Sequence, residues 1–172
     1  MIIGEDVRLR RLEKADLYHL WEWHEMDELY LFNTIRSFVS WDEIHENFND
    51  HFAWKGDFVI ESKGNRILGI CSYHNINWKN RSCSISFKMK ADSLNLHFSV
   101  EAVQVLASIV FNELNLIKID SSILQISEFE IQTIKKAGFE QEGRLREHVF
   151  RDNRYLDMLI FSLFRKDVDN DD

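Results

Sequence analysis

Hydrophobic and polar positions change period several times along the chain, and each change marks an element. Residues 7–12 (VRLRRL) alternate apolar and basic side chains, which predicts a half-buried strand. Asp16 can cap a following helix through His24, with Leu17, Leu20, Trp21 and Trp23 as its apolar side. A second helix is signalled by Ser40 and Glu43 at capping-box spacing, with Ile44 and Phe48 behind them. Residues 30–39 between these helices are apolar without period and read as a loop over a cleft. Residues 58–61, 66–73 and 82–89 alternate as strands of a meander, joined by turns at 62–65 and 75–81. The period then lengthens. Val100, Val103, Leu106, Ala107, Val110, Phe111 and Leu114 form the stripe of a core-facing helix. A strand at 116–121 follows, then a helix at 128–137 stopped by Gly138, then two strands at 141–150 and 155–164.

This order makes one α/β domain, residues 1–166, with an acidic tail at 167–172 expected to be disordered. The helix between the third meander strand and strand 116–121 makes that pair a crossover unit, hence locally parallel. A parallel pair inside a mixed sheet opens a crevice at the strand carboxyl ends. Ligand binding is therefore expected between Met89 and Ser99, at the entry to the amphipathic helix.

Composition narrows the function. The chain has 172 residues, 45% of them apolar, enough for a core. Its 21 Lys and Arg against 29 Asp and Glu give −8, and four of those acids lie in the last six residues. The body is thus about −4, which disfavours a polyanionic partner such as nucleic acid. Two cysteines, Cys71 and Cys83, are too few for a disulfide framework and lack metal-site spacing, so no metal is expected. They read as small buried hydrophobes in a reducing, cytoplasmic setting. No secretory signal opens the chain and no apolar run approaches the ~18 residues of a membrane helix.

Three strings resemble the GCN5-related N-acetyltransferases, in particular the branch acting on ribosomal-protein N-termini and polyamines. Residues 8–17 (RLRRLEKADL) resemble its opening strand and turn, and residues 73–78 (YHNINW) with Asn80-Arg81-Ser82 its central hairpin. Residues 137–139 (AGF), 142–146 (EGRLR) and 154–157 (RYLD) resemble its last helix stop and closing strands. The resemblance implies an α+β mixed sheet of about seven strands flanked by four helices. It implies transfer of an acetyl group from acetyl-CoA to a primary amine on a small molecule or peptide, and it allows a homodimer.

It also implies a site. The pantetheine arm of the donor would run along Phe87, Lys88 and Met89, and the pyrophosphate would meet Asn95, Leu96, His97, Phe98 and Ser99. The family's phosphate motif (Gln or Arg, two residues, Gly, one residue, Gly or Ala) falls on residues 94–99. Leu94 and His97 depart from it, and only Ser99 is small. An Asn of the family's last helix aligns with Ser127, a Tyr used as general acid with Ile134, and a fourth-strand Glu with Ser84. The catalytic candidates are accordingly Ser84, His74 and Ser127, and Ser127 also counts as cofactor-binding. Trp23, Tyr30, His74 and Asn75 are candidates for the acceptor, beside the acidic Glu22, Glu25, Asp27 and Glu28.

His97 either contacts a phosphate as a cation or merely fills space in the loop. A side chain forced into left-handed backbone there costs about 1–2 kcal/mol. Ser99 is expected as the helix N-cap. Two other functions fit the departures: a non-catalytic binding module that has lost acetyl-CoA, and an acyltransferase using a carrier-protein pantetheine.

Overall fold

In the computed structural model the described residues are 2–16, 18, 42, 46, 56–151 and 153–169. They form one mixed sheet of eight strands in the order β1-β2-β3-β4-β5-β6-β8-β7. The strands are β1 (Ile2–Ile3), β2 (Val7–Arg11), β3 (Gly56–Ser62), β4 (Ile67–Asn77), β5 (Ser82–Met89), β6 (Lys118–Leu124), β7 (Glu140–Arg151) and β8 (Arg154–Phe164). Three α-helices are described: α1 (Leu96–Ser108), α2 (Glu128–Lys136) and α3 (Arg165–Asp169). A π-helical turn, Ile109–Glu113, carries the stripe of α1 onward. β5 and β6 are parallel, as the crossover predicts, and every other neighbouring pair is antiparallel.

The eighth strand is β1, whose two residues carry no readable period. α1 begins four residues before Val100, and its N-cap is Asn95 rather than Ser99. β4 runs on to Asn77, so the turn shrinks to residues 78–81, where Asn77 Oδ1 accepts the Asn80 N–H at 2.9 Å. β6 starts at Lys118 rather than Leu116, and Leu116 sits buried ahead of it. Asp167 and Asp169, counted with the tail, belong to α3, and Asp167 Oδ2 accepts the Phe164 N–H at 3.2 Å. The helices expected from Asp16 and Ser40, the loop at 30–39, Trp23 and Tyr30 lie outside the described residues, apart from Asp16, Tyr18, Asp42 and Glu46.

The core is a product of alternation. On β5, Cys83, Ile85, Phe87 and Met89 point inward, while Ser82, Ser84, Ser86 and Lys88 stay half-exposed. The inward set joins Ala102, Val103, Leu106 and Val110 of the α1 stretch in one apolar cluster. Each large side chain so buried contributes about 1.5–3 kcal/mol. Cys71 and Cys83 are free buried thiols, and burial pushes Cys83 up to about 12.

Polar ties hold the sheet's margins. Glu61, on β3, accepts from Arg8 Nε and Arg10 Nε, both at 2.7 Å, and Arg10 reaches both carboxylate oxygens of Asp16 at 2.7 Å. Arg8 and Arg10, alternate residues of β2, thus share one carboxylate on β3. In the last hairpin, Asp157 accepts the Glu147 N–H at 2.8 Å and pairs with Arg144. These contacts hold its carboxyl below the usual carboxylate range, the Glu147 N–H first. They also pin the bulge between Leu145 and Val149, where Glu147 adopts φ 51°.

Candidate functional site

The site begins with a mismatch in strand pairing. β5 is paired with β4 along its length, out to Gly69↔Met89. It is paired with β6 only at Ser82↔Lys118, Cys83↔Ile119 and Ser84↔Asp120. β6 meanwhile stays with β8 as far as Leu124↔Met158. Beyond Ser84 the two parallel strands separate, and residues 85–89 show β6 a backbone edge without ladder partners. At about 3.3 Å per residue that edge is roughly 16 Å long. It supplies amide donors and acceptors to an extended ligand, as strand addition requires.

Helix α1 stands at one end of this wedge and α2 at the other strand's end. Buried hydroxyls join them, Ser99 Oγ lying 2.8 Å from Thr133 Oγ1. Lys88 Nζ crosses from β5 to Glu130 in the first turn of α2, at 2.7 Å. Phe87 and Met89 turn their side chains into the core, so their contribution to the wedge is backbone.

The α1 N-terminus is already capped. Asn95 Oδ1 accepts the N–H groups of His97 (2.9 Å) and Phe98 (3.3 Å), and Asn95 O accepts that of Ser99 (3.0 Å). His97 lies inside the first helical turn, and no residue from 94 to 99 has positive φ. The left-handed strain expected at His97 is therefore absent, because the helix starts earlier than the aligned motif implies. The His97 ring faces the β1–β2 turn: Nε2 is 2.9 Å from Asp6 Oδ2. That contact raises its pKa above the ordinary histidine value. Donor atoms of Asp6, His97 and Glu101 lie within 4.8 Å of one another. Glu101 Oε1, however, already accepts the N–H groups of Asp6 (2.8 Å) and Val7 (3.3 Å), so the trio clamps the turn to α1.

At the closed end of the wedge, cross-strand register sets His74, Ser84 and Asp120 side by side on one face. Asn75 is exposed one residue past His74, with φ 53°. Ser127 is the N-cap of α2, and its side chain makes no capping hydrogen bond. Ile134, at the position of the family's acid, is completely buried, so no acid group is available there. Leu94 is exposed and Leu96 and Phe98 half-exposed at the α1 entry.

Asp120 and its neighbour Lys118 went unread in the sequence. Lys118 Nζ lies 3.2 Å from Asp120 Oδ1 and 2.9 Å from Glu142 Oε2. Alternation along KIDSSIL puts residues 118, 120 and 122 on one face, but only the β5–β6 register brings that face beside Ser84. Lys88–Glu130 was hidden for the same reason, as a pair formed across the splay.

Known proteins share this architecture. Spermidine N-acetyltransferase of Vibrio cholerae, solved in complex with CoA and spermine, superposes with a TM-score of 0.85 at 22% identity, over 95% of this chain and 98% of that one. In sequence, the Vibrio cholerae spermidine N(1)-acetyltransferase is 23% identical over 158 residues, 91% of each chain. An uncharacterised N-acetyltransferase of Bacillus licheniformis is 24% identical over 173 residues, 95% of each chain. The family model described as the acetyltransferase (GNAT) domain matches residues 9–160, nearly the whole sheet with its splayed strands, and the chain belongs to that family.

Proposed function

We propose that the chain moves the acetyl group of acetyl-CoA onto a primary amine of a polyamine-like acceptor. Acetyl transfer from acetyl-CoA to a primary amine follows from the family. The polycationic acceptor is supported by the relatives named for spermidine and by the chain's own acidity. The observation that carries the reading is the splay of β5 from β6. The free edge at residues 85–89 fits an amide-bearing pantetheine arm lying between the strands, with its thioester end at Ser84 and Asp120. Catalysis by positioning an amine against a thioester accounts for much of such a reaction. That is how the fold tolerates Ser84 and Ile134 where charged or phenolic groups are common in the family.

The capped α1 N-terminus favours a second reading, a donor that engages by its pantetheine alone, as on a carrier protein. A non-catalytic module would keep the wedge and lose turnover. The test is thiol release from acetyl-CoA by the full chain, with spermidine, spermine, a ribosomal-type N-terminal peptide and an amino sugar as acceptors. Spermidine or spermine should release thiol fastest. Binding of CoA without thiol release from any amine would overturn the proposal and leave the binding module.

If the donor's phosphates use the first turn of α1, Asn95 must give up its cap. Asn95→Ala should then cost about 1 kcal/mol of stability yet tighten CoA binding up to about fivefold, the equivalent of 1 kcal/mol. Thermal melting and calorimetry measure the two effects. Unchanged affinity would show that the phosphates bypass those amides.

A cytoplasmic location fits two buried free thiols. Among the described residues no helix is long and apolar enough to cross a membrane. The Lys88–Glu130 tie and the edge at residues 85–89 are complete within one chain, so donor binding by a monomer is part of the proposal, whether or not a homodimer forms.

A further inference from the structure

We infer that Asp120 takes the proton from the acceptor's ammonium group and orients the resulting amine toward the thioester. The inference rests on the acetyl-transfer reading above and names a residue for it.

Asp120 occupies the last rung at which β5 and β6 are paired. Its side chain therefore stands at the closed end of the wedge, where an arm laid along residues 85–89 ends. In-register neighbours share a face, so Asp120 is about one strand spacing, ~4.8 Å, from Ser84. His74 lies one strand further away, across Ser84. Ser84 offers a hydroxyl, which is no base near neutral pH, whereas a carboxylate is one.

The groups facing Asp120 can be named element by element. From β6 itself comes Lys118, 3.2 Å away; from β7, Glu142, which shares Lys118 at 2.9 Å; from β4, His74 beyond Ser84; from β8, Ser162, its cross-strand partner. Lys118 is divided between two carboxylates, so the three groups keep one net negative charge. That charge attracts an ammonium. The Asp120 side chain is 35% exposed, so a proton it accepts can pass to water. Cys83, beside it on the opposite face, has its thiol pushed up to about 12, by burial first and by Asp120 second, and so does not compete as a nucleophile.

The step balances. The ammonium gives one proton to Asp120, which hands it to solvent. The nitrogen lone pair attacks the acetyl carbonyl carbon and the C–N bond forms. The C–S bond breaks with its electron pair on sulfur, and a second nitrogen proton ends on that sulfur. The products are the amide, the free thiol and one proton.

Asp120→Asn keeps the shape and removes the charge. With spermidine near pH 7 its turnover should fall about 100-fold, the scale of general-base contributions. CoA affinity should stay within about twofold of the parent, as it depends on residues 85–89 and the α1 entry. The deficit should narrow as pH climbs toward the amine pKa near 10, because the acceptor then arrives already deprotonated. Asp120→Glu, which retains the carboxylate, should recover most of the activity. An Asn variant as active as the parent, or a deficit of constant size at every pH, overturns the assignment while acetyl transfer itself stands. A parent chain that releases no thiol with any amine overturns the underlying reading, and the role of Asp120 with it.

Discussion

Replacing Glu61 with Gln should lower unfolding free energy by about 2–4 kcal/mol, somewhat less than a fully buried ion pair because the arginines keep some water. Glu61 is 5% exposed and receives Arg8 and Arg10 at once, while the side chains of those arginines are about one quarter exposed. Gln can accept one such bond but brings no charge, so Arg8 loses its ion pair and keeps its contact with Asn65. Arg10 keeps Asp16. β2 is the strand that suffers, since both arginines belong to it and its pairing with β3 runs from Val7↔Ser62 to Arg11↔Phe58. For a chain of this size the loss corresponds to roughly 5–15 °C in Tm. Thermal unfolding followed by circular dichroism measures it. A loss under about 0.5 kcal/mol would place these ion pairs with ordinary surface pairs.

Gly69→Ala should be as damaging and should reach the site. A Cβ at Gly69 would lie 2.2 Å from the carbonyl oxygen of Lys88 and 3.0 Å from the Cα of Met89. Both are backbone atoms, so no rotamer change relieves the clash, and β4 and β5 must move apart. Overpacking of this kind costs about 1–3 kcal/mol or more. The displaced segment is residues 85–89, the edge assigned to the donor. The variant should therefore lose CoA affinity by at least about tenfold while it remains folded at low temperature. Equal affinity in parent and variant would show that the end of β5 takes no part in binding. Gly138, at φ 100°, is the contrasting case: its Cβ would meet only Leu163 at 3.6 Å, and what Ala would meet there is backbone strain of about 1–2 kcal/mol.

Much of this fold was legible because its signals are local. The alternation of residues 82–89 gives β5 its bounds, and Gly138 ends α2 where a left-handed stop is needed. The crossover rule alone makes β5 and β6 parallel, as they are. What stayed hidden depends on register. Nothing in the residues states that β5 and β6 pair over three rungs and then part, so neither Asp120 beside Ser84 nor Lys88 against Glu130 could be read off. The α1 entry shows a related limit. Aligning a family motif onto residues 94–99 puts His97 in a loop, but Asn95 is a strong capping residue and starts the helix earlier. Local capping chemistry overrode the imported loop, which turned His97 toward Asp6 and placed two amides under Asn95.

Donor binding between the splayed strands underlies every functional step proposed for this fold. Calorimetric titration of the full chain with CoA, acetyl-CoA and short pantetheine at moderate salt tests it most directly. CoA and acetyl-CoA should bind saturably, and pantetheine more weakly but measurably through the edge at residues 85–89. Absence of heat from all three at near-millimolar ligand would contradict it.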